Sequence, residues 1–284
     1  MERDGNGWVE CSQGHRHWGR HGAAGLMLYT ADVDGSLRLL MQHRADWCHH
    51  GGTWGLPGGA RDSHETVAEA ALREAHEETA LDVARVRVRH SFVDDHGGWS
   101  YTTVYADARE QLPTTPNEES ASLEWVTVDD VGRLPLHPGF GATWSTVRLP
   151  ALHLVVDSAN VVGSVPDGWW RDRAAATGRL AARLPPLLPA ALDDPAGVVT
   201  AVSLVVEGAA RQASIPESVV AVKADGSGDD AIVDLVATLD GEGRTVLVVT
   251  SDRGLRSRLD EATHGRALTR GSRWLLGLLD GAGA

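Results

Sequence analysis

Hydrophobic residues in the first half of the chain occur in short runs that turn-forming residues separate. The segment 22–45 contains two such runs on either side of Asp34-Gly35, which predicts two strands joined by a turn. Three further segments have the same strand-like composition: 53–60, 86–95 and 100–108. The first half of the chain is therefore predicted to form a sheet of several strands.

A helical pattern interrupts these strands. Thr66 is followed three residues later by Glu69, which is the spacing of a capping box at the start of a helix. Apolar residues then recur on one helical face: Val67, Ala70, Ala71, Leu72 and Ala75. The sequence predicts a helix whose apolar face packs inward among the strands.

Three valine-rich runs in the second half each lead into a carboxylate. LHLVV precedes Asp157, VSLVV precedes Glu207 and VLVVTS precedes Asp252. Apolar runs without alternation are typical of strands buried on both faces of a parallel sheet. A helix is predicted between the second and third runs, with Asp229 and Asp230 in its first turn.

Length and composition predict two α/β domains. The chain has 284 residues, of which 42% are hydrophobic, and this is enough for two packed cores. We place the boundary near Pro150, with domains at 1–147 and 148–284. The proline-rich segment 183–197 lies between a predicted helix and the VSLVV strand, so we interpret it as an internal loop.

The predicted helix carries a patch of acids. Glu74, Glu77 and Glu78 are three and four residues apart and share one helix surface. Carboxylate oxygens bind hard cations such as Mg²⁺ or Mn²⁺. Such a cation neutralises phosphate charge and activates water, and a free carboxylate accepts the proton of that water. The alternative is a solvated acidic helix face, since like charges at this spacing cost only about 0.2–0.5 kcal/mol per pair.

The spacing around this patch resembles the signature box of the Nudix hydrolases. It reads Gly59, five residues, Glu65, seven residues, Arg73-Glu74, two residues, Glu77-Glu78, one residue, Ala80-Leu81. The family usually has glycine where Ala80 stands. The resemblance covers about residues 20–145 and implies an α/β/α sandwich with a mixed sheet.

The resemblance also implies roles for individual residues. Glu74, Glu77 and Glu78 are the expected metal ligands together with Gly59, Glu74 is the expected general base, and Arg73 and Glu65 support them. Glu119, six residues before Trp125, corresponds to a further metal ligand, although Glu118 and Glu124 are close enough to be confused with it. Apart from the resemblance, Arg44 and Trp54 lie near the box in sequence and are candidate substrate-binding residues; the ring of Trp54 can stack on a base or pack in the core.

Motifs of the second half resemble the PIN-like NYN ribonuclease domains. The segments are DSANV, VVEG, GDDAIVDLV and VVTSDRGL, in that order. The resemblance implies a mainly parallel sheet and a second metal site with supporting residue Asn160. Its acids are Asp157, Glu207, Asp229 or Asp230, and Asp252. The alternative is that these acids are strand-end loop residues or the remnant of a site.

Charge argues against a long, tightly held nucleic acid. Residues 1–150 have a net charge of −9 and residues 151–284 a net charge of −4, whereas Lys and Arg supply most non-specific nucleic-acid affinity. One arginine-rich strip surrounds Asp252, and it can guide RNA or form a solvated helix face. Its members are Arg253, Arg256, Arg258, Arg266, Arg270 and Arg273.

Cysteine usage and the N-terminus indicate a cytoplasmic protein. Cys11 and Cys48 form no disulfide framework, and no apolar signal-peptide core or membrane-length run occurs. A zinc site is conceivable at Cys11, His15, His17 and His21. Their irregular spacing and the lack of a second ligand pair are unlike any zinc-finger pattern, so we favour polar loop residues.

The sequence thus predicts a two-domain enzyme without a membrane partner. The first domain is expected to cleave the pyrophosphate bond of a nucleoside diphosphate linked to another group or of a nucleoside triphosphate, with an oxidised triphosphate as the first choice. The second domain is expected to be a metal-dependent ribonuclease. The alternative function is a nucleotide-sensing first domain that regulates an RNA-binding or RNA-processing second domain.

Overall fold

The computed structural model describes residues 3–32 and 34–282. The predicted domains, 1–147 and 148–284, include five positions outside the described residues, and this division stays a prediction. Among the described residues, no helix has both the length and the hydrophobicity that crossing a bilayer requires.

Contacts between residues divide the chain into two compact units. The N-terminal unit consists of the chain up to Leu149 together with Ala191–Asp193. The C-terminal unit consists of Pro150–Ala190 and the chain from Asp194 onward. Each unit has its own sheet and its own helices.

The N-terminal unit is built on a mixed sheet. In chain order its elements are β1 (Trp8–Glu10), β2 (Arg16–Trp18), β3 (Ala23–Ala31), β4 (Leu37–Arg44), β5 (Trp54–Gly55), β6 (Gly58–Ala60), α1 (Val67–Thr79), β7 (Arg87–Asp95), β8 (Ser100–Asp107), β9 (Ser120–Thr127), α2 (Val128–Val131) and α3 (Pro138–Val147). The strand order is β5-β4-β3-β8-β7, with β6 paired to β3 and β9 paired to β4. Only the β3–β8 pairing in this sheet is parallel.

Helix α1 begins and packs as its sequence predicts. The Thr66 side chain accepts a hydrogen bond from the Glu69 backbone, and the Glu69 carboxylate accepts one from the Thr66 N–H, which completes the capping box. Ala70, Ala71 and Ala75 are fully buried in one cluster with residues of β3, β4 and β8. Small side chains at these positions let the helix approach the sheet closely.

The end of α1 places a non-glycine residue in a left-handed conformation. Ala80 has φ 53° and ψ 22°, and its N–H bonds the carbonyl of His76. An L-residue in the left-handed conformation costs roughly 1–2 kcal/mol. Glycine avoids this cost, although it also makes the unfolded chain more flexible. We therefore expect Ala80→Gly to raise the stability by about 0.5–1 kcal/mol, visible as a higher Tm in calorimetry. A lower Tm would mean that the Ala80 methyl group contributes more than its backbone strain.

The C-terminal unit is built on a parallel sheet. In chain order its elements are β10 (Ala151–Asp157), α4 (Ser158–Gly163), α5 (Arg173–Ala182), β11 (Ala190–Leu192, of which Ala190 belongs to this unit), β12 (Gly197–Val206), β13 (Val220–Lys223), α6 (Gly228–Gly241), β14 (Thr245–Val249), α7 (Arg253–Thr263), β15 (Leu268–Arg270) and α8 (Ser272–Ala282).

Strands β13, β12, β10, β14 and β15 lie in that order, and each neighbouring pair is parallel. The valine-rich runs occupy the central strands, and Val155, Val205 and Val248 are buried in one core with α6 and α7. The predicted α/β class, with a mixed sheet in the first half and a mainly parallel sheet in the second, is confirmed. The predicted helix with Asp229 and Asp230 in its first turn is confirmed as α6.

The proline-rich segment 183–197 differs from the predicted internal loop. It contains β11, and Ala191–Asp193 belong to the N-terminal unit. The backbone N–H of Ala191 donates to Oδ2 of Asp107 over 3.1 Å, and the same oxygen is 2.6 Å from Nε of Arg89. Asp107 is completely buried, so it needs these donors. No local pattern in the sequence encodes this pairing.

Candidate active site

Two consecutive glycines bring the backbone of β6 against the acidic face of α1. A Cβ atom on Gly59 would lie 2.7 Å from both Cδ and Oε2 of Glu74. A Cβ atom on Gly58 would lie 2.4 Å from the carbonyl oxygen of Ala24. Both distances are shorter than real Cβ contacts: at Gly58 a side chain would meet backbone, and at Gly59 it would displace the Glu74 carboxylate.

Arg73 holds the carboxylates of two neighbours in fixed orientations. Its Nε and Nη2 donate to Glu65 Oε1 and Oε2 over 2.6 and 2.8 Å. Nη1 donates to Glu74 Oε1 over 2.7 Å, and Nη2 also bonds the carbonyl of Ala60 at 3.0 Å. The forked geometry of the guanidinium makes this double contact possible. The hydrogen bonds from Arg73 hold the pKa of Glu65 below its usual range.

Glu78 is a carboxylic acid buried beside the glycine turn. It is 4% exposed, and its Oε2 accepts the Gly58 N–H over 2.7 Å. Burial, with a smaller contribution from the charge of nearby Glu74, raises the pKa of Glu78 to about 8. Burial also raises the pKa of Glu74, against the opposing effect of Arg73. One buried and one half-buried acid, both with raised pKa values, make a site that a cation would stabilise in its ionised form.

The donor set of this face fits a hard divalent cation. Carboxylate oxygens of α1 and the backbone beside Gly59, where a Cβ would fill the space, are the ligand types that Mg²⁺ and Mn²⁺ take. Within the described residues, however, no group of three that includes Glu74, Glu77 or Glu78 has ligand atoms that all lie within 4.8 Å of one another. Instead Glu74 and Glu77 both contact Nη1 of Arg73, at 2.7 and 3.5 Å, and Glu77 also pairs with Arg3. An ion bound by these carboxylates would compete with Arg73 and Arg3 for them.

A pocket of about 760 Å³ opens next to the glycine turn. Gly58 and Gly59 form part of its wall, and Arg44 and Glu119 line it as well. Aromatic rings make up much of the remainder: Trp8, Trp18, Trp47, Trp99, Tyr101 and Phe140. A pocket whose wall combines aromatic rings with polar and charged side chains has the properties of a small-molecule site.

The predicted residues divide between this pocket and the helix face. Glu119 lines the pocket while its backbone carbonyl accepts the N–H of Ala45 over 2.8 Å. Trp54 is absent from the pocket lining; it is 8% exposed and stacks on His43 at 4.7 Å between ring centroids. Arg44 therefore lines the pocket and Trp54 does not, while the binding of substrate by either residue stays a prediction.

Two residues near the acids were missed by the sequence analysis. Burial, and then the neighbouring Glu78, raise the pKa of Tyr101, which lines the pocket. Gln42 is fully buried and donates to Ser120 Oγ over 2.9 Å. Both lie on strands, where alternating polar residues usually face solvent. The one available signal was their polar character inside otherwise apolar runs.

The C-terminal acids converge at one edge of the parallel sheet. Asp157 is the last residue of β10, Glu207 directly follows β12, and Asp252 follows β14. These three strands are neighbours. Because the carboxyl ends of parallel strands meet at the same edge, the acids lie at the usual ligand-binding end of such a sheet.

Asn160 and Thr250 organise this edge. Asp157 accepts the Asn160 N–H over 3.0 Å and the Thr250 hydroxyl over 2.8 Å. Asn160 Oδ1 in turn accepts the Ser251 N–H and the Ser272 hydroxyl over 2.8 and 2.7 Å. Burial raises the pKa of Asp157 most strongly, and the charges of other acids add to it.

Asp229 and Asp230 differ in their surroundings. Burial raises the pKa of Asp229, followed by the charge of Asp252. Asp230 instead forms an ion pair with Arg258, which lies on α7. Of the two residues, Asp229 is therefore the one that interacts electrostatically with the other C-terminal acids. Within the described residues, no three of the C-terminal acids have ligand atoms within 4.8 Å of one another.

The arginine-rich strip is largely engaged in contacts with its own unit. Arg256 donates to the carbonyl of Thr250 over 3.0 Å. Three other members pair with acids: Arg258 with Asp230, Arg266 with Asp240, and Arg270 with Asp194. These pairs are solvent-accessible and add little stability, but they reduce the positive charge that the strip offers to RNA.

Comparisons with known proteins concern the N-terminal half. The NUDIX domain model matches residues 19–145. A Mycobacterium tuberculosis protein described as putative 8-oxo-dGTP diphosphatase 3 is 54% identical over 151 residues, which are 51% of this chain and 70% of that protein. A Bifidobacterium longum protein described as a nucleoside triphosphate pyrophosphatase/Nudix hydrolase fusion protein is 40% identical over 149 residues, covering 51% of this chain and 31% of that protein. The crystal structure of a Nudix hydrolase from M. smegmatis, RenU, is 53% identical, covers 51% of this chain and 93% of that chain, and has a TM-score of 0.49.

The NUDIX match lies within the unit that carries the glycine turn, Arg73 and the acids of α1. Together with the mycobacterial relative, it confirms the resemblance of the first half and the expectation of a pyrophosphohydrolase, which in this family uses a divalent metal. The resemblance of the second half to PIN-like NYN domains stays a prediction. On the identity and coverage of the mycobacterial relative, the chain belongs to the Nudix family of hydrolases.

Proposed function

We propose that the N-terminal unit hydrolyses the pyrophosphate bond of an oxidised purine nucleoside triphosphate with Mg²⁺ or Mn²⁺. The observation that carries this proposal is the packing of the Glu74 carboxylate against Gly59, with Arg73 fixing it and buried Glu78 beside it. A bound divalent ion would neutralise phosphate charge and lower the pKa of water at this face. Glu74, Glu77, Glu78 and Glu119 are the proposed ligands, with Gly59 contributing backbone oxygen.

The protein's own groups have three tasks in this reaction. Arg73 keeps the Glu74 carboxylate in one orientation, so that an oxygen not used as a ligand can accept a proton from water. Glu65 holds Arg73 in turn, through both of its oxygens. Arg44 lies in the pocket wall and is placed to neutralise a phosphate of the substrate.

The pocket supports a purine as the base of the substrate. Its tryptophan-rich wall offers surfaces on which a base can stack, worth about 1–3 kcal/mol per base. The M. tuberculosis relative, 54% identical over 151 residues, is described as a putative 8-oxo-dGTP diphosphatase. An 8-oxo-purine presents an N–H donor at N7 where the normal purine presents an acceptor, so a single buried hydrogen-bonding group can discriminate between them.

A panel of nucleotides with Mg²⁺ tests this substrate. We expect kcat/KM for 8-oxo-dGTP to exceed that for dGTP by about tenfold or more, with ADP-ribose and dinucleoside polyphosphates poorer still. Products separated by chromatography should be the monophosphate and pyrophosphate. Equal values for the oxidised and normal triphosphates, or a preference for ADP-ribose, would contradict the substrate while leaving the hydrolase intact.

We propose that the C-terminal unit is a PIN-like, metal-dependent ribonuclease domain, and that the chain is thus a two-domain enzyme divided near Pro150. The acids at the carboxyl ends of β10, β12 and β14 support this proposal. Asp157, Glu207, Asp229 and Asp252 are its candidate metal ligands, and Asn160 is its candidate positioning residue. The rival function is a nucleotide-sensing N-terminal unit that regulates RNA binding or processing by the C-terminal unit. A labelled RNA with Mg²⁺ or Mn²⁺, with and without nucleotide, separates the two.

A further inference from the structure

We propose that Cys11, His15, His17 and His96 bind a zinc ion in the N-terminal unit, independently of the acids on α1. One ligand atom from each of these four side chains lies within 4.8 Å of the corresponding atoms of the other three. Zinc takes four nitrogen and sulfur ligands in a tetrahedron with bonds of about 2.0–2.3 Å. The cluster therefore offers the number and the type of ligand atoms that a zinc ion takes.

The four residues come from two segments that are distant in sequence. Cys11 and His15 lie in the loop between β1 and β2, and His17 is in β2 itself. His96 lies in the turn between β7 and β8. The sequence analysis grouped His21 with the first three, but His21 lies beside Asp4 at 3.3 Å and is not part of the cluster. The tertiary structure replaces it with His96.

Two ring nitrogens of the cluster are buried and form no hydrogen bond within the described part of the chain. Nε2 of His17 and Nδ1 of His96 are inaccessible to solvent and have no hydrogen-bond partner among the described residues. An unsatisfied buried polar atom destabilises the folded protein, since it has lost its hydrogen bonds to water. A metal ion at the cluster would give both nitrogens a ligand bond and remove this cost.

The second ring nitrogen of His96 lies near a carboxylate, which is the usual arrangement for a metal-bound histidine. Its other nitrogen, Nε2, is 3.2 Å from Oδ2 of Asp94. A carboxylate there fixes the tautomer that leaves Nδ1 unprotonated, and it orients the ring toward the ion. His17 is held by stacking on Trp99, with 4.0 Å between ring centroids and 10° between planes.

The backbone that carries the cluster is organised without the ion. Ser12 N–H donates to the carbonyl of Gly97 over 2.8 Å, and the Ser12 hydroxyl donates to the carbonyl of His96 over 3.1 Å. The N–H of Cys11 donates to the carbonyl of His15 over 2.9 Å. A side chain at Gly97 would collide with Ser12. These contacts join the two segments, so binding requires little rearrangement of the main chain.

The ligand types favour zinc over magnesium. A thiolate and three imidazoles form a soft donor set, whereas Mg²⁺ takes oxygen ligands. Four protein ligands complete a tetrahedron and leave no open position, which is typical of a structural site. His15, His17 and His96 line the pocket together with Trp18 and Trp99. The ion would therefore fasten the β1–β2 hairpin to the β7–β8 turn and stiffen the pocket wall.

A second histidine cluster is weaker. His49, His50 and His137 also have ligand atoms within 4.8 Å of one another. However, His49 and His50 are exposed, and Nδ1 of His137 already accepts the Gly139 N–H over 3.2 Å at the start of α3. None of these three residues offers a buried nitrogen without a partner among the described residues.

Metal analysis of the purified full-length chain tests the site. We expect about one zinc per chain in the wild type after exhaustive buffer exchange, and less than about a fifth of that in Cys11→Ser and in His96→Asn. Cys48→Ser and His21→Asn are the matched controls, one for each residue type, and should retain the wild-type content. Wild-type protein that retains no zinc after incubation with the metal, or Cys11→Ser that retains the full amount, would overturn the assignment.

Cobalt replacement gives a readout that does not depend on how well the variants fold. Co²⁺ in the wild type should show the intense visible bands of a tetrahedral ion and a thiolate charge-transfer band in the near ultraviolet. Cobalt held only by glutamates would give weak octahedral bands and no thiolate band, and this result would refute the site. Because the spectrum does not depend on nucleotide turnover, a negative result would refute the zinc site without contradicting the proposed hydrolase function.

Discussion

Replacing Glu78 with glutamine is expected to lower kcat for nucleotide hydrolysis by at least about a thousandfold. Glutamine has nearly the same shape, and its side-chain oxygen can still accept the Gly58 N–H that Glu78 now accepts over 2.7 Å. What the variant loses is the negative charge that holds a divalent ion. Steady-state kinetics over a range of Mg²⁺ concentrations measures the loss.

The pH dependence of stability provides a second readout for the same variant. Without metal, the folded protein holds Glu78 at a pKa of about 8, above its ordinary value of 4.5. The favourable contribution of the protonated group is thus complete below pH 4.5 and disappears as the pH rises through 8. In metal-free buffer, the Tm of the wild type should therefore fall relative to that of Glu78→Gln between these pH values.

Glu69→Gln is the matched control for this substitution. Glu69 lies on the same helix, and glutamine at this position preserves the capping box with Thr66. Its kcat should stay within about twofold of the wild-type value. Full turnover by Glu78→Gln would disprove the placement of the catalytic metal on α1. Equal losses in both variants would show that helix stability, and not the charge of Glu78, was being measured.

Asp157→Asn is expected to reduce Mg²⁺-dependent RNA cleavage by at least about a hundredfold and to leave nucleotide hydrolysis unchanged. Asp157 is 7% exposed and lies at the centre of the strand-end acids. Asparagine keeps the oxygen that accepts the Asn160 N–H, and its amide can donate to the Thr250 hydroxyl, so the local fold is preserved. A labelled single-stranded RNA and 8-oxo-dGTP, assayed in parallel on one preparation, measure both activities.

Asp172→Asn is the control in the same unit. Asp172 also begins a helix, since its carboxylate accepts the Ala175 N–H over 2.9 Å, and asparagine caps a helix as well as aspartate does. This variant should cleave RNA at the wild-type rate. If the wild type cleaves no RNA with either Mg²⁺ or Mn²⁺, the ribonuclease proposal is wrong. A nucleotide-dependent change in RNA affinity would then favour the sensing function.

Local patterns predicted much of the fold and the chemical character of the Nudix face. The capping box at Thr66 and Glu69 marked the start of α1, and alanines at helical spacing marked its buried side. Both depend on contacts between residues three or four positions apart, which the sequence displays directly. Glu74 and Glu78 share a helix surface for the same reason.

Long-range pairing accounts for what local patterns missed. The sequence left open whether Trp54 stacks on a base or packs in the core, and the pairing of β5 with β4 places it on His43. The segment 183–197 was expected to be a loop of the second half, yet buried Asp107 bonds the backbone of Ala191. In both cases the partner lies on another element, and no periodicity within either segment specifies it.

The amino-acid sequence by itself determined the helix with its acids, the valine-rich strands and the carboxylates that follow them. These features depend on the spacing of residues that are close together in the sequence, and this spacing can be read without knowledge of the fold. Only the tertiary structure decided that Glu78 is buried, that Asp229 and not Asp230 joins the C-terminal acids, and that His96 meets Cys11, His15 and His17. Burial and convergence arise from the packing of separate elements, whose contacts are set by the whole chain and by no single segment of it.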